Sequence, residues 1–126
     1  MSPDSVFHQM IILEHKGGFY PPHKHLLKGE AFHIIEGSMA VFVFDDDGRI
    51  TDACRLEGSG TFMYRIDVGQ YHSVMPLSDV VIYHEGKPGP FLGNKDSIFP
   101  EWAPDTSDAN AVAKFKDKLI GALELE

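Results

Sequence analysis

The stretch His23-Lys24-His25 carries the most chemistry in the chain. Residues two apart in an extended segment point to the same side, so both imidazoles project together. Glu30 follows after a short connection, at the start of the next apolar run. A further donor, His72, lies on a later run, just after Asp67-Val68-Gly69. Three imidazoles and one carboxylate form a complete donor set for one divalent transition metal, with positions left for water or a small ligand. Such donors accept Mn, Fe, Co, Ni, Cu or Zn. With neutral imidazoles the ion would keep about one net positive charge. That charge favours small ligands bearing a carboxylate, hydroxy-ketone or enediolate, on which the ion acts as a Lewis acid. Tyr20, Lys28, Tyr64 and His84 are the candidates for contacting such a ligand. Tyr64 and Arg65 are neighbours in a strand-like run, so only one of them faces inward.

The elements that must position these residues are short and β-like. Runs at 6–14, 31–35, 39–44, 50–56, 62–66, 71–75 and 80–83 are separated by turn-forming residues such as Gly17-Gly18 and Gly37-Ser38. Strands of this length and spacing predict an all-β sandwich or barrel. No helical period interrupts them, which excludes βαβ architectures. Asp45-Asp46-Asp47-Gly48 lacks the alternating spacing of a calcium loop and reads as a hairpin turn. Residues 39–44 are apolar on both faces. An antiparallel sheet with one wet face would alternate, so a second subunit or the C-terminal segment must cover the outside. On that ground a homodimer is expected. Gly86-Lys87-Pro88-Gly89-Pro90 reads as the end of the last strand. Beyond it, Pro100, Trp102 and Pro104 predict an ordered covering stretch. A short helix follows, capped by Ser107 or Asp108, with Val112, Phe115, Leu119 and Leu123 as its apolar stripe. Alternation from an inward Glu30 sets His33 on the opposite face, and His8 and His15 are expected to be solvated or interfacial.

The chain has 126 residues, enough for a single domain at 1–126: a barrel over about 6–85 and an extension with a helix over about 86–126. The net charge of −8 excludes the basic surface that nucleic acid or an anionic membrane requires. Seven histidines stand against one cysteine, Cys54, which has no partner for an internal disulfide and reads as an inert buried or half-buried thiol. Residues 1–9 lack a basic region followed by an apolar stretch, so cytoplasmic residence is the expectation.

Gly17, His23, His25, Glu30 and Gly37 resemble the first motif of the cupin superfamily at every position: Gly, five residues, His-x-His, a short gap, Glu, six residues, Gly. The second cupin motif is partly present. Gly69 and His72 match it, Asp67 stands in place of a proline, Pro76 in place of an asparagine, and Gly60 is one residue out of register. The resemblance implies a jelly-roll barrel with a metal held by His23, His25, Glu30 and His72. A narrower likeness is to the WbuC-type cupin metalloproteins associated with bacterial surface polysaccharide clusters. It rests on Pro22-His23-Lys24-His25, Lys28-Gly29-Glu30, the 44–48 hairpin, His84-Glu85-Gly86 with Gly89-Pro90, and Trp102-Ala103-Pro104. It implies a small-molecule ligand such as a sugar or sugar-nucleotide derivative. A metal-dependent isomerase or dioxygenase, a non-catalytic saccharide-binding module and a structural cupin dimer are all compatible with these residues.

Overall fold

Alternation along seven strands decides which side chains reach the interior. The computed structural model describes residues 2–90, 92 and 96–124. The strands are β1 (Phe7–His15), β2 (Glu30–Glu36), β3 (Ser38–Phe44), β4 (Ile50–Glu57), β5 (Met63–Ile66), β6 (Tyr71–Pro76) and β7 (Val80–Pro88), followed by one helix, α1 (Ala109–Glu124). They form two antiparallel sheets, ordered β1-β7-β2-β5 and β4-β3-β6. Between the sheets lies an apolar core that includes Phe32 and Ile34 from β2, Met39, Val41 and Val43 from β3, and Val81 from β7. This is the jelly-roll architecture of a cupin barrel, in one small domain.

The other face of β3 is equally dry. Ala40, Phe42 and Phe44 pack with Tyr71 and Met75 of β6 and with Leu119 and Leu123 of α1. The covering element is therefore the chain's own C-terminal segment, so the two-sided apolar pattern needs no second subunit. Trp102 contributes from the stretch before the helix. Its Nε1–H donates to the Asp46 carbonyl at 2.8 Å, and its ring lies against Gly48 in the hairpin. A Cβ at Gly48, whose φ is +90°, would stand 2.7 Å from that ring, so only glycine fits. Asp108 caps α1, its Oδ1 accepting from the amides of Asn110 and Ala111 at 3.1 Å. Residues 91 and 93–95 of the expected covering stretch, and 125–126 after the helix, lie outside the described residues.

Two readings need correction. β7 does not end before Gly86; it runs to Pro88, because β1 pairs with its whole length, Phe7 opposite Pro88 and Gln9 opposite Gly86. Proline at the last strand position leaves the ladder almost intact. His8 is buried rather than solvated, and its Nε2–H donates to the Pro3 carbonyl at 3.2 Å. His15 is exposed, and His33 lies on the face opposite Glu30, exposed as well. Among the described residues, no helix is long and apolar enough to cross a membrane.

Candidate metal centre

The segment carrying His23 and Lys24 joins the second sheet through a single bridge, His23 to His72 of β6, and the stretch before the helix through another, Lys24 to Ile98. Reciprocal backbone bonds, His23 N–H to His72 O at 3.1 Å and His72 N–H to His23 O at 2.9 Å, fix the two ligands side by side. The tight turn before β6 contributes a third tie. Gly69, with φ at +76°, donates its N–H to the His25 carbonyl at 2.9 Å. Glu30 opens β2 and faces inward with Phe32 and Ile34. One ligand atom from each of His23, His25, Glu30 and His72 can be chosen so that all four lie within 4.8 Å of one another. All four residues are buried.

Each imidazole is oriented from behind by a backbone carbonyl. His23 Nδ1–H donates to Pro21 O at 3.1 Å, His25 Nδ1–H to Asp96 O at 2.5 Å, and His72 Nδ1–H to Gln70 O at 2.9 Å. A carbonyl can only accept, so these bonds put the proton on Nδ1 and leave Nε2 as the coordinating nitrogen. The Nε2 atoms of His25 and His72 are buried without a hydrogen-bond partner. Both are directed at Glu30: His25 Nε2 is 3.6 Å from Oε1, and His72 Nε2 rests against the same oxygen. Buried nitrogens without hydrogen bonds beside a buried carboxylate are costly alone and suit a cation placed among them. The donors fit a divalent transition metal.

The electrostatics agree. Burial, aided by His72 nearby, lowers the His23 pKa to about 4, so its ring is neutral at neutral pH. Burial alone would raise Glu30, but the His25 and His72 rings beside it outweigh burial and hold the carboxyl well below its usual range. The proximity of Glu30 in turn raises His25. Metal binding uses the neutral imidazole, so protonation of His25 Nε2 competes with the metal.

The centre lies on a cavity of about 610 Å³. Tyr20 lines it, stacked edge-on to His23 with ring centroids 4.8 Å apart. The other three ligand-contact candidates do not line it. Lys28 is buried behind the centre, where Nζ pairs with Asp96 Oδ1 at 2.8 Å and also donates to the Pro90 carbonyl. It thus holds the residue whose carbonyl orients His25. Tyr64 does face inward, whereas the Arg65 side chain is exposed near Asp67; yet the Tyr64 hydroxyl donates to Asp52 Oδ2 and not to the cavity. His84 lies on the outer face of β7, with Nε2 3.0 Å from Gln9 Oε1.

The sequence reading missed the wall opposite the imidazoles. Glu14 of β1 and Tyr83, Glu85 and Lys87 of β7 line the cavity there. Simple alternation from Val81 along an extended β7 would have found the last three. Burial, then the charge of Glu30 beside it, pushes Glu85 up to about 7. A carboxyl in that range both takes and gives a proton near neutrality. Asp96 belongs to an irregular stretch and had no sequence signal. Burial opposes its ionisation, but the Lys28 hydrogen bond prevails and keeps it charged.

Comparison with known proteins agrees with the fold. A family model described as a domain of unknown function (DUF6016) matches residues 1–56. No curated protein matches the chain. Among solved structures, the capsular polysaccharide assembling protein CapF from Staphylococcus aureus is similar, with 20% identity, 79% of this chain and 29% of that chain covered, and a TM-score of 0.67. Oxalate decarboxylase from Bacillus subtilis gives 16% identity, coverage of 76% and 24%, and a TM-score of 0.62. L-ribose isomerase from Cellulomonas parahominis gives 20% identity, coverage of 75% and 58%, and a TM-score of 0.61. These are cupin-fold proteins, and this chain has their fold. It spans less than a third of the length of CapF.

Proposed function

We propose that this chain is a metal-containing cupin that acts on a sugar or sugar derivative in bacterial surface polysaccharide metabolism. The observation that carries the reading is the convergence of three imidazoles and Glu30 on a cavity of about 610 Å³. That volume suits a small-molecule ligand. The similarity to a capsular polysaccharide assembling protein, a dTDP-4-dehydrorhamnose 3,5-epimerase and an L-ribose isomerase supports the choice of sugar. A metal held by His23, His25, Glu30 and His72 would polarise a carbonyl oxygen or acidify bound water. The chain's own carbonyls at Pro21, Gln70 and Asp96 keep the imidazoles aimed.

The alternatives are a non-catalytic saccharide-binding module and a metal-stiffened structural dimer. Backbone bonds already pair His23 with His72, which speaks against a purely structural ion. Metal analysis of protein purified without metal-affinity resin should find about one ion per chain. His25→Ala should lose it while the metal-free unfolding midpoint stays in place; collapse of the fold would favour the structural role. A mass-spectrometric screen of sugars and sugar nucleotides should show turnover. Ligand retention without product would favour the binding module, and no metal would end the proposal.

The same reading includes a homodimer, on different grounds from the covered β3. The outward positions of β1 and β7 expose Phe7, Ile11, Leu13 and Val80. No carboxylate occupies those alternating positions in a chain of net charge −8, so two copies can meet there without like-charge repulsion. Light scattering at micromolar concentration should give the dimer mass; a monomer mass would overturn it.

A further inference from the structure

The cavity has two unlike walls. The imidazoles arrive from His23, His25 and β6, while β1 and β7 supply Glu14, Tyr83, Glu85 and Lys87. The four candidate ligands are complete without this second wall. Its composition can therefore serve selection of the ligand. The Tyr83 hydroxyl donates to Glu14 Oε1 at 3.3 Å. A carboxyl group offers several acceptor sites, so Glu14, and Glu85 in either protonation state, keep capacity for the hydroxyls of a ligand.

An anionic ligand finds little support there. Among the described lining residues, Lys87 is the only ammonium and there is no arginine. Lys87 shares that lining with the carboxyl groups of Glu14, Glu85 and Asp96. Lys28, buried behind the centre, is tied to Asp96 and to the Pro90 carbonyl. No residue of α1 lines the cavity, so no helix N-terminus is available to a phosphate. A carboxylate or diphosphate would instead meet the charge of Glu14, and of Glu85 when ionised, and like charges repel. The remaining lining includes Ile12, Phe32 and Val74, which suit the C–H faces of a polyol.

We infer that the cavity selects an uncharged polyhydroxylated ligand, such as a free sugar, over a sugar acid or a nucleotide-diphosphate sugar, with Glu14 and Glu85 accepting from its hydroxyls. This rests on the sugar reading above and narrows it. It also reverses the expectation that the metal's positive charge would draw a carboxylate, because that expectation could not include the second wall.

The test is titration calorimetry of the protein as purified, with its metal content measured. The probes are free pentoses and hexoses, the aldonic and uronic acids of the same skeletons, and their nucleotide-diphosphate forms. A free sugar should bind about tenfold or more tightly than its acid or nucleotide-linked form. Glu14→Gln should weaken the free sugar and shrink that gap about tenfold with metal content unchanged. Should Glu14→Gln fail to fold, Glu85→Gln reads the same gap. Tighter binding of the acid or nucleotide form, or an unchanged gap in the variant, overturns the inference and leaves the sugar reading standing. Binding of no sugar in any form overturns the sugar reading and the inference with it.

Discussion

The two sheets face each other but do different work. β3, at the centre of the second sheet, is buried on both faces from Met39 to Phe44. The first sheet is dry on neither side throughout. Its inner face divides between core and cavity, and its outer face leaves Ile11 65% and Leu13 56% exposed. Three of the four candidate metal ligands lie off the second sheet's strands; only His72 belongs to them, paired with inward-facing Val43. The difference teaches that the doubly covered sheet supplies a stiff platform, while the chemistry is set on elements with one face open to a ligand.

The largest test of this division is Phe42→Ala. The side chain is fully buried between β3 and α1. Its loss should cost about 3–5 kcal/mol, measured by urea unfolding, with metal stoichiometry retained in the folded fraction. A cost below about 1 kcal/mol would mean that α1 does not cover the sheet in solution.

Acid should act on the other side of the comparison. With His23 at about 4 when folded and 6.5 as the unpaired value, the unfolded chain binds more protons between those limits. Metal-free protein should therefore lose stability as pH falls from 6.5 toward 4, by at most about 3 kcal/mol from this residue. His25 is raised, so its contribution runs the opposite way and is lost as pH rises through its folded value. His23→Gln should flatten the decline between pH 6.5 and 4 in urea titrations; an unaltered slope would place its source elsewhere.

Lys28→Met comes next. The lysine touches no metal position but anchors Asp96 behind His25. Chelator competition should show metal affinity about 10–100-fold weaker, the usual effect of removing a group that orients a ligand. Unchanged affinity would show that the Asp96 carbonyl holds His25 unaided.

The smallest effect belongs to the open outer face. At concentrations where the chain is monomeric, Ile11→Gln should change unfolding stability by no more than about 0.5 kcal/mol. A loss several times larger would show that this face is packed, and that the contrast between the sheets is less than the exposure suggests.

Much of the site was legible in the chain. His23 and His25 share a parity, Glu30 begins an alternating strand, and the resemblance to the two cupin motifs grouped them with His72. The double-sided apolar run at β3 announced a cover but not its source, since helix and partner subunit leave the same pattern. Tyr20 lines the cavity, while Lys28 and His84 do not, because the first hangs on a loop contact and the second on strand parity near a misjudged strand end. Asp96 had no periodic neighbours by which to be read.

By itself the sequence determined the succession of short strands along the chain and the parity of β2 about Glu30, and its resemblance to the cupin motifs named the candidate metal donors. These are local properties, fixed by a two-residue period and by turn chemistry. Only the tertiary structure decided that α1 and Trp102 cover β3, that Lys28 and Asp96 stand behind His25, and that Glu14 and Glu85 face the imidazoles across the cavity. Those facts depend on how the two sheets are placed against each other and on where the chain returns, and no local period encodes such a distance.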